Sequence, residues 1–413
     1  MCKKSHEAAM DGRKRGWIVT LAGTSINLAL GVLYAWSVIK AGIPDSWSWS
    51  NADKALPYAV ACLVFSLAMI PAGRLQDLVG PRWVATIGGV LVGAGFIVSA
   101  LSGSSLFGFV AGFGILAGAG IGFGYASATP PAVKWFPPEK TGLVAGTVVA
   151  GFGLASVYIA PLSAALLQRY GISQTLLTFG VAFLIVVTAL SQLLADPPKA
   201  QASSMQRQGQ DHSLWYMLRS RRFYILWITY FIGAGAGLTF ISFAQDLGKR
   251  SLGELAFLAV SVLAVGNAGG RVAAGTISDR IGRERTILAF FLMQALAIYL
   301  LYLVKDGTNP VLILFLIFLI GANYGSNLSL FPSITKDYFG LASFGLNYAI
   351  MFTAWGVSGL FLPWLNGKIR DATGSSDLTF FLIVTLLLFG AALTFKSMPQ
   401  GKRESRKEVL SHG

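Results

Sequence analysis

Apolar runs near twenty residues alternate with short polar breaks along the whole of this 413-residue chain. Twelve runs are legible, at 17–40, 56–74, 83–101, 106–128, 142–164, 174–196, 222–243, 254–275, 286–304, 310–330, 343–365 and 378–396. Each is long enough to cross a bilayer as a helix. The pattern predicts an all-α integral membrane protein with twelve transmembrane helices. The longest polar interruption contains PPKAQASSMQRQGQDHS, whose composition is that of a flexible linker. It divides the spans six and six. SLWYMLRSRRF then sets aromatics beside three arginines. That string reads as a short helix on the membrane surface or as a solvated loop end. The expected organisation is a tail at 1–16, a six-helix bundle at 17–196, a linker at 197–221, a second bundle at 222–396 and a tail at 397–413.

Composition agrees with the pattern. The chain is 54% hydrophobic and 12% charged, where a soluble domain carries about 25% charged residues. The net charge of +14 raises nucleic acid as a partner, but its distribution answers to a membrane. With both termini placed in the cytoplasm, 23 of the 32 Lys and Arg residues fall on that side and eight on the other. This is the positive-inside bias. We therefore expect a multi-pass protein of the cell inner membrane with cytoplasmic termini, a lipid bilayer as its partner and no nucleic acid. No small-residue cleavage site marks the first span, which reads as a retained helix. Cys2 and Cys62 lie in different environments and carry no metal-ligand spacing, so neither a disulfide, a metal nor a cofactor is expected. No phosphate-binding loop, nucleophile elbow or zinc-binding motif occurs, and no catalytic residues are assigned.

The two halves repeat each other. Gly73-Arg-Leu-Gln-Asp77-Leu-Val-Gly80-Pro-Arg82 follows the second span, and Gly275-Thr-Ile-Ser-Asp279-Arg-Ile-Gly282-Arg283-Glu follows the eighth. Gly124 matches Gly325 and Pro161 matches Pro363 at nearly the same offset. Duplicated loops of this kind indicate a bundle built by internal repetition. Twelve spans in two halves, with a G-x-L-x-D-x-x-G-x-R loop and its copy, resemble the major facilitator superfamily. The resemblance implies two pseudo-symmetric six-helix bundles that rock about a central ligand. It also implies gating roles for Asp77, Arg82, Asp279 and Arg283, with the aspartates at helix ends pairing with arginines or with a helix N-terminus.

One charge lies deep in a span. VLAVGNAGGRVAAG, residues 262–275, is otherwise apolar, small or neutral, and it holds Arg271. An arginine at the centre of a membrane costs about 2.5–3.5 kcal/mol on insertion scales, which favours a partner or water beside it. One reading has the side chain snorkelling toward the surface. The other has it facing a ligand, as its small neighbours suggest. A guanidinium matches a carboxylate as a planar fork of donors. Asn267, one turn earlier on the same face, is placed to orient it. Candidate wall residues are Leu28 in the first span, Tyr125 in the fourth, Tyr324, Asn327 and Leu328 in the tenth, and Phe352 and Trp355 in the eleventh. One fixed cation among neutral polar groups suggests a monovalent anion.

Within the superfamily, G-W-x-V-x-x-A-G-T at the first span, the eighth-span arginine followed by G-x-x-S-D-R-x-G-R, and L-F-P-S-x-x-x-D-Y-F-G after the tenth resemble the oxalate/formate antiporter and monocarboxylate transporter branch. Oxalate exchangers of that branch carry a lysine where this chain has Trp355. The resemblance therefore implies a monocarboxylate with an apolar tail, such as L-lactate or pyruvate, rather than oxalate. Vertebrate monocarboxylate transporters carry an aspartate where this chain has Asn267, and a first-span lysine that GVLYAWSVI lacks. The expected function is alternating-access transport of a small monocarboxylate, coupled to a proton, by a monomer. Proton-independent exchange of the oxalate/formate type and a carboxylate-binding membrane sensor are the alternatives.

Overall fold

The structure is a computed structural model that describes residues 2–136, 138–197, 214–307, 309–339 and 344–397. Most of the expected linker (198–213) and of the C-terminal tail (398–413) lies outside the described residues. Among those described there are helices and no strands. The first helix begins at Cys2, within the stretch read as a tail. Its crossing segment, α1, is Lys14–Ala41. α2 is Asn51–Val79, α3 Pro81–Leu101 and α4 Leu106–Lys134. The helical stretch Pro138–Ser191 follows, and after it come the short helix Leu214–Arg219, α7 at Arg221–Leu252, α8 at Phe257–Ile281 and α9 at Arg283–Val304. The last three are α10 at Pro310–Phe339, α11 at Phe344–Thr373 and α12 at Asp377–Ser397.

Among the described residues, helices long and apolar enough to span number eleven, one fewer than the runs in the sequence. The reason lies between Pro138 and Ser191, where helix continues through Gly171 at φ 71° and ψ −179°. The apolar part of that stretch, Val144–Ser191, has 48 residues. At helical rise it would be about 70 Å long, twice the hydrocarbon thickness. It is two spans joined without a loop, α5 at 138–170 and α6 at 172–191, and the bundle has twelve.

The repeat is visible in the backbone. Gly80 and Gly282, the matching loop glycines, both have positive φ, 86° and 94°. A side chain would be strained there, which accounts for glycine at both places. Gly171 and Gly374 form a second such pair, at 71° and 70°, joining α5 to α6 and α11 to α12. The halves meet along two equivalent helix pairs, α2 with α11 and α5 with α8.

Glycine also fixes how closely α8 approaches α10. A Cβ on Gly270 would lie 1.9 Å from the Ala322 carbonyl oxygen, and one on Gly325 would lie 2.0 Å from that of Asn267. Gly266 and Gly321 make the same kind of contact one turn away. Small residues take this role in lipid because close backbone packing replaces the hydrophobic drive. The stripe seats α8 against α10 and leaves Asn267 and Arg271 to face elsewhere. Gly269, by contrast, borders open space. Gly270→Val should therefore destabilise the detergent-solubilised protein by about 1–3 kcal/mol or more through overpacking. Gly269→Ala should change it by less than about 0.5 kcal/mol. Thermal unfolding of the two variants side by side checks this.

Candidate functional site

Arg271 is 8% exposed and Asn267 is fully buried. The guanidinium does not run to the membrane surface. It crosses from α8 to the other half, where a Cβ on Gly153 of α5 would lie 3.5 Å from its carbon. Nη1 donates to the Val149 carbonyl of α5 at 2.8 Å, and Nε donates to Asn267 Oδ1 at 3.2 Å. Nη2 of Arg271 and Nδ2 of Asn267 are buried without a hydrogen-bond partner. Two of the three guanidinium nitrogens thus hold the side chain in place. The third nitrogen and the amide nitrogen of Asn267 are idle donors, which suits an anionic acceptor.

Aromatic side chains from both halves enclose this group. Tyr34 of α1 and Tyr125 of α4 pack edge-on against Phe152, the residue before Gly153, with centroids 5.0 and 5.3 Å apart, and Tyr348 of α11 packs on Phe352 at 5.7 Å. Tyr34 sits where α1 tightens into a 3₁₀ turn, Gly31–Ala35. Its hydroxyl shares a 2.6 Å hydrogen bond with that of Tyr324, closing a link between the halves. Trp355 Nε1 donates to the same Tyr324 oxygen at 2.8 Å. Phe352 stacks on Trp355 with centroids 5.0 Å apart, and Tyr125 packs on Phe65 and Phe152 at 5.4 and 5.3 Å.

The structure therefore gathers Arg271, Asn267, Tyr125, Tyr324, Phe352 and Trp355 into one neighbourhood. Asn327 is buried but turns its amide nitrogen onto the Asn323 and Tyr324 carbonyls of its own helix. Leu328 is 8% exposed beside it. Leu28 is half-buried, and its carbonyl accepts from Tyr158 Oη of α5 at 3.1 Å. Sequence reasoning passed over Phe65, Phe152 and Tyr348, which read as ordinary span residues. It had no means of finding the Val149 carbonyl, since any residue supplies one. Among the described residues no three His, Cys, Asp or Glu side chains converge to hold a metal.

The face opposite the termini is closed by polar contacts between halves. Lys40 of α1 lies 3.7 Å from the Asp246 carboxylate of α7, which Arg370 of α11, in the same half as Asp246, holds by donating to it at 2.8 Å. α7 breaks its helical path at Phe243 (φ −135°, ψ 22°), and Lys40 donates to the Ser242 carbonyl at 3.0 Å beside that break. The Asp371 carboxylate of α11 accepts from the backbone nitrogens of Asn51 and Ala52 at 2.7 and 3.0 Å. It thereby sits on the positive N-terminus of α2. On the termini face, the ion pairs among the described residues stay within one half. Arg283 pairs with Asp279 at 2.7 Å and with Asp337 of α10 at 3.2 Å, and bonds Ser278. Lys134 pairs with Asp196 at 2.9 Å. Arg82 is exposed, and the side chain of Asp77 lies outside the described residues.

Twelve membrane-spanning helices in two repeated halves, closed at one face over a buried cation between them, define a transport-type bundle. The sequence matches the family model of the Major Facilitator Superfamily over residues 18–363, and the chain belongs to that superfamily. It is 28% identical to the oxalate:formate antiporter of Oxalobacter formigenes over 406 residues, 96% of this chain and 94% of that one. It is 27% identical to human monocarboxylate transporter 11 over 392 residues, 91% of this chain and 81% of that one. Among solved structures, a D-xylose-proton symporter superposes with a TM-score of 0.75 at 15% identity, covering 94% of this chain and 99% of that one. That last likeness is one of fold. Relatives and neighbours alike are transporters, and the chain is a multi-pass membrane transporter rather than an enzyme.

Tyr324→Phe should cost about 1–3 kcal/mol, because it strands the buried Trp355 indole nitrogen and removes the Tyr34 partner. Trp355→Phe, which breaks one of the two bonds, should cost less of this polar contribution. Comparing Tyr324→Phe, Trp355→Phe and the double variant by thermal unfolding isolates the coupling.

Proposed function

We propose that this chain carries a small monocarboxylate, such as L-lactate or pyruvate, across the cell inner membrane by alternating access. The observation that carries the reading is the pair of idle buried donors, Arg271 Nη2 and Asn267 Nδ2, on two side chains that bond each other, the guanidinium lying against Gly153 of the other half. A carboxylate has two oxygens to accept from them. A single cation balances a single negative charge, and the surrounding rings suit a short apolar tail. The likeness to monocarboxylate and oxalate:formate carriers supports the same substrate class. Residues 17–196 and 222–396 are the two rocking bundles, working as a monomer with both termini in the cytoplasm, as the basic loops favour.

Proton coupling follows from charge. The empty site carries +1, a bound carboxylate neutralises it, and one added proton restores +1. Loaded and empty carriers then cross the field with equal charge. A second reading, exchange without protons, is favoured by the likeness to the oxalate:formate antiporter. Uptake of labelled lactate, pyruvate, formate and oxalate into proteoliposomes tests both. An acid-outside pH jump should drive lactate accumulation. Uptake that instead requires internal substrate and ignores the jump supports exchange. Arg271→Lys keeps the charge and loses the fork, and should lower transport at least tenfold.

In this cycle the Lys40–Asp246–Arg370 group and the Asp371 cap form the outer gate. Asp77, Arg82, Asp279 and Arg283 belong to the cytoplasmic one. Cys62 is buried in α2, where a Cβ on Gly359 of α11 would lie 2.6 Å from its Cβ, so its exposure reports outer opening. In a Cys2→Ser background, Asp246→Asn should speed labelling of Cys62 by an impermeant thiol reagent added outside by about tenfold. An unchanged rate in the folded variant removes these residues from the gate.

A further inference from the structure

The repeat relates residues as well as loops. An offset of 202 carries Asp77 to Asp279, Gly80 to Gly282 and Pro161 to Pro363. The same offset carries Phe65 to Asn267, Met69 to Arg271 and Gly153 to Trp355. These positions lie on the two helix pairs that join the halves, α8 with α5 and α2 with α11. At one junction Arg271 leans over Gly153 and bonds Asn267, and the two form a polar wall. At the equivalent junction Phe65 and Met69 are buried, and the Phe65 ring meets Trp355 edge-on with centroids 5.1 Å apart. The pseudo-twofold thus exchanges a charged wall for an apolar one.

Phe65 is the hub of that apolar wall. It is 1% exposed, and its ring lies 5.4 Å from Tyr125, 5.8 Å from Phe152 and 5.7 Å from Phe352. Phe152 directly precedes Gly153, over which the guanidinium lies. Phe65 is therefore separated from the anion position by one layer of rings. A carboxylate held at Arg271 directs whatever is attached to it toward this aromatic group.

We infer that Phe65 sets the tail selectivity of the site: the bulk of its ring limits the size of the apolar group on the transported monocarboxylate. The inference rests on the monocarboxylate reading above. An amide or a cation at the same place would instead ask for a second polar group on the substrate. Phenylalanine there makes the site one-headed.

The test is a selectivity ratio in proteoliposomes. Formate has no tail and probes the guanidinium alone. Pyruvate has a short tail, and 4-methyl-2-oxopentanoate a long, branched one. Phe65→Ala should raise kcat/KM for the branched acid relative to formate by at least tenfold, the scale of selectivity that a few methylenes command in an apolar pocket. Phe65→Trp should shift the ratio the other way, and formate itself should change less than about threefold in either variant. Thermal unfolding and size-exclusion profiles establish that each variant is folded. If Phe65→Ala fails to fold, the Trp variant and Phe65→Leu decide the matter. A ratio within twofold of wild type in folded variants overturns the inference, as does an equal fall for all three acids. Wild-type protein that moves none of them overturns the monocarboxylate reading itself, a different result from an unaltered ratio.

Discussion

The organisation of this bundle turns on one guanidinium held at the seam between its halves. Arg271 belongs to α8, yet its firm anchor is a backbone carbonyl of α5. A cation at this depth costs free energy unless it is satisfied. Here satisfaction is partial: Nη1 and Nε are bonded, and Nη2 is left over. Were all its donors engaged, the arginine would be a strut. With Nη2 unspent it is a strut that, in the function proposed above, also attracts an anion. Structural and functional demands on this side chain therefore meet in one place. A ligand that draws the guanidinium toward itself acts at the same time on a contact between the halves.

Packing makes that position available. The glycine contacts between α8 and α10 seat one face of α8 against its own half, and Arg271 projects across the interface. Closure of the opposite face relies on a different chemistry. One carboxylate, Asp246, is shared by cations from α1 and α11, and a second, Asp371, rests on the start of α2. These are polar contacts near the ends of helices, where water can replace the lost partner when they part. Apolar packing at the same location would resist separation more and offer less choice of state.

Much of this was legible in the sequence because lipid imposes coarse rules. Twelve apolar runs, the duplicated loops and an isolated arginine require little context to interpret, and Asn267 follows from one helical turn. What escaped notice did so for physical reasons. The polar string QRYGISQT separates two spans in the sequence but reads as a loop, and that helix runs up to Gly171 and on from it without one shows only in the dihedral angles. Phe65 and Phe152 are unremarked among 28 phenylalanines until the fold brings them together. Asn327 has the right composition for a ligand contact, but its amide nitrogen is bound to the carbonyls of its own helix. Lys40 and Arg370 read as ordinary span-end charges. Their meeting at Asp246 depends on the relative tilt of three helices, which no linear pattern encodes.

The loopless junction at Gly171 has a mechanical consequence. α5 lies at the seam, and α6 follows it with no slack between them. α11 and α12 are tied nearly as tightly through Gly374 and the two serines after it. Rigid couplings of this sort make each seam helix drag its outer neighbour when it tilts. In the alternating-access cycle proposed above, the work of rocking is then shared with the surrounding acyl chains, so the elasticity of the bilayer enters the turnover of the carrier.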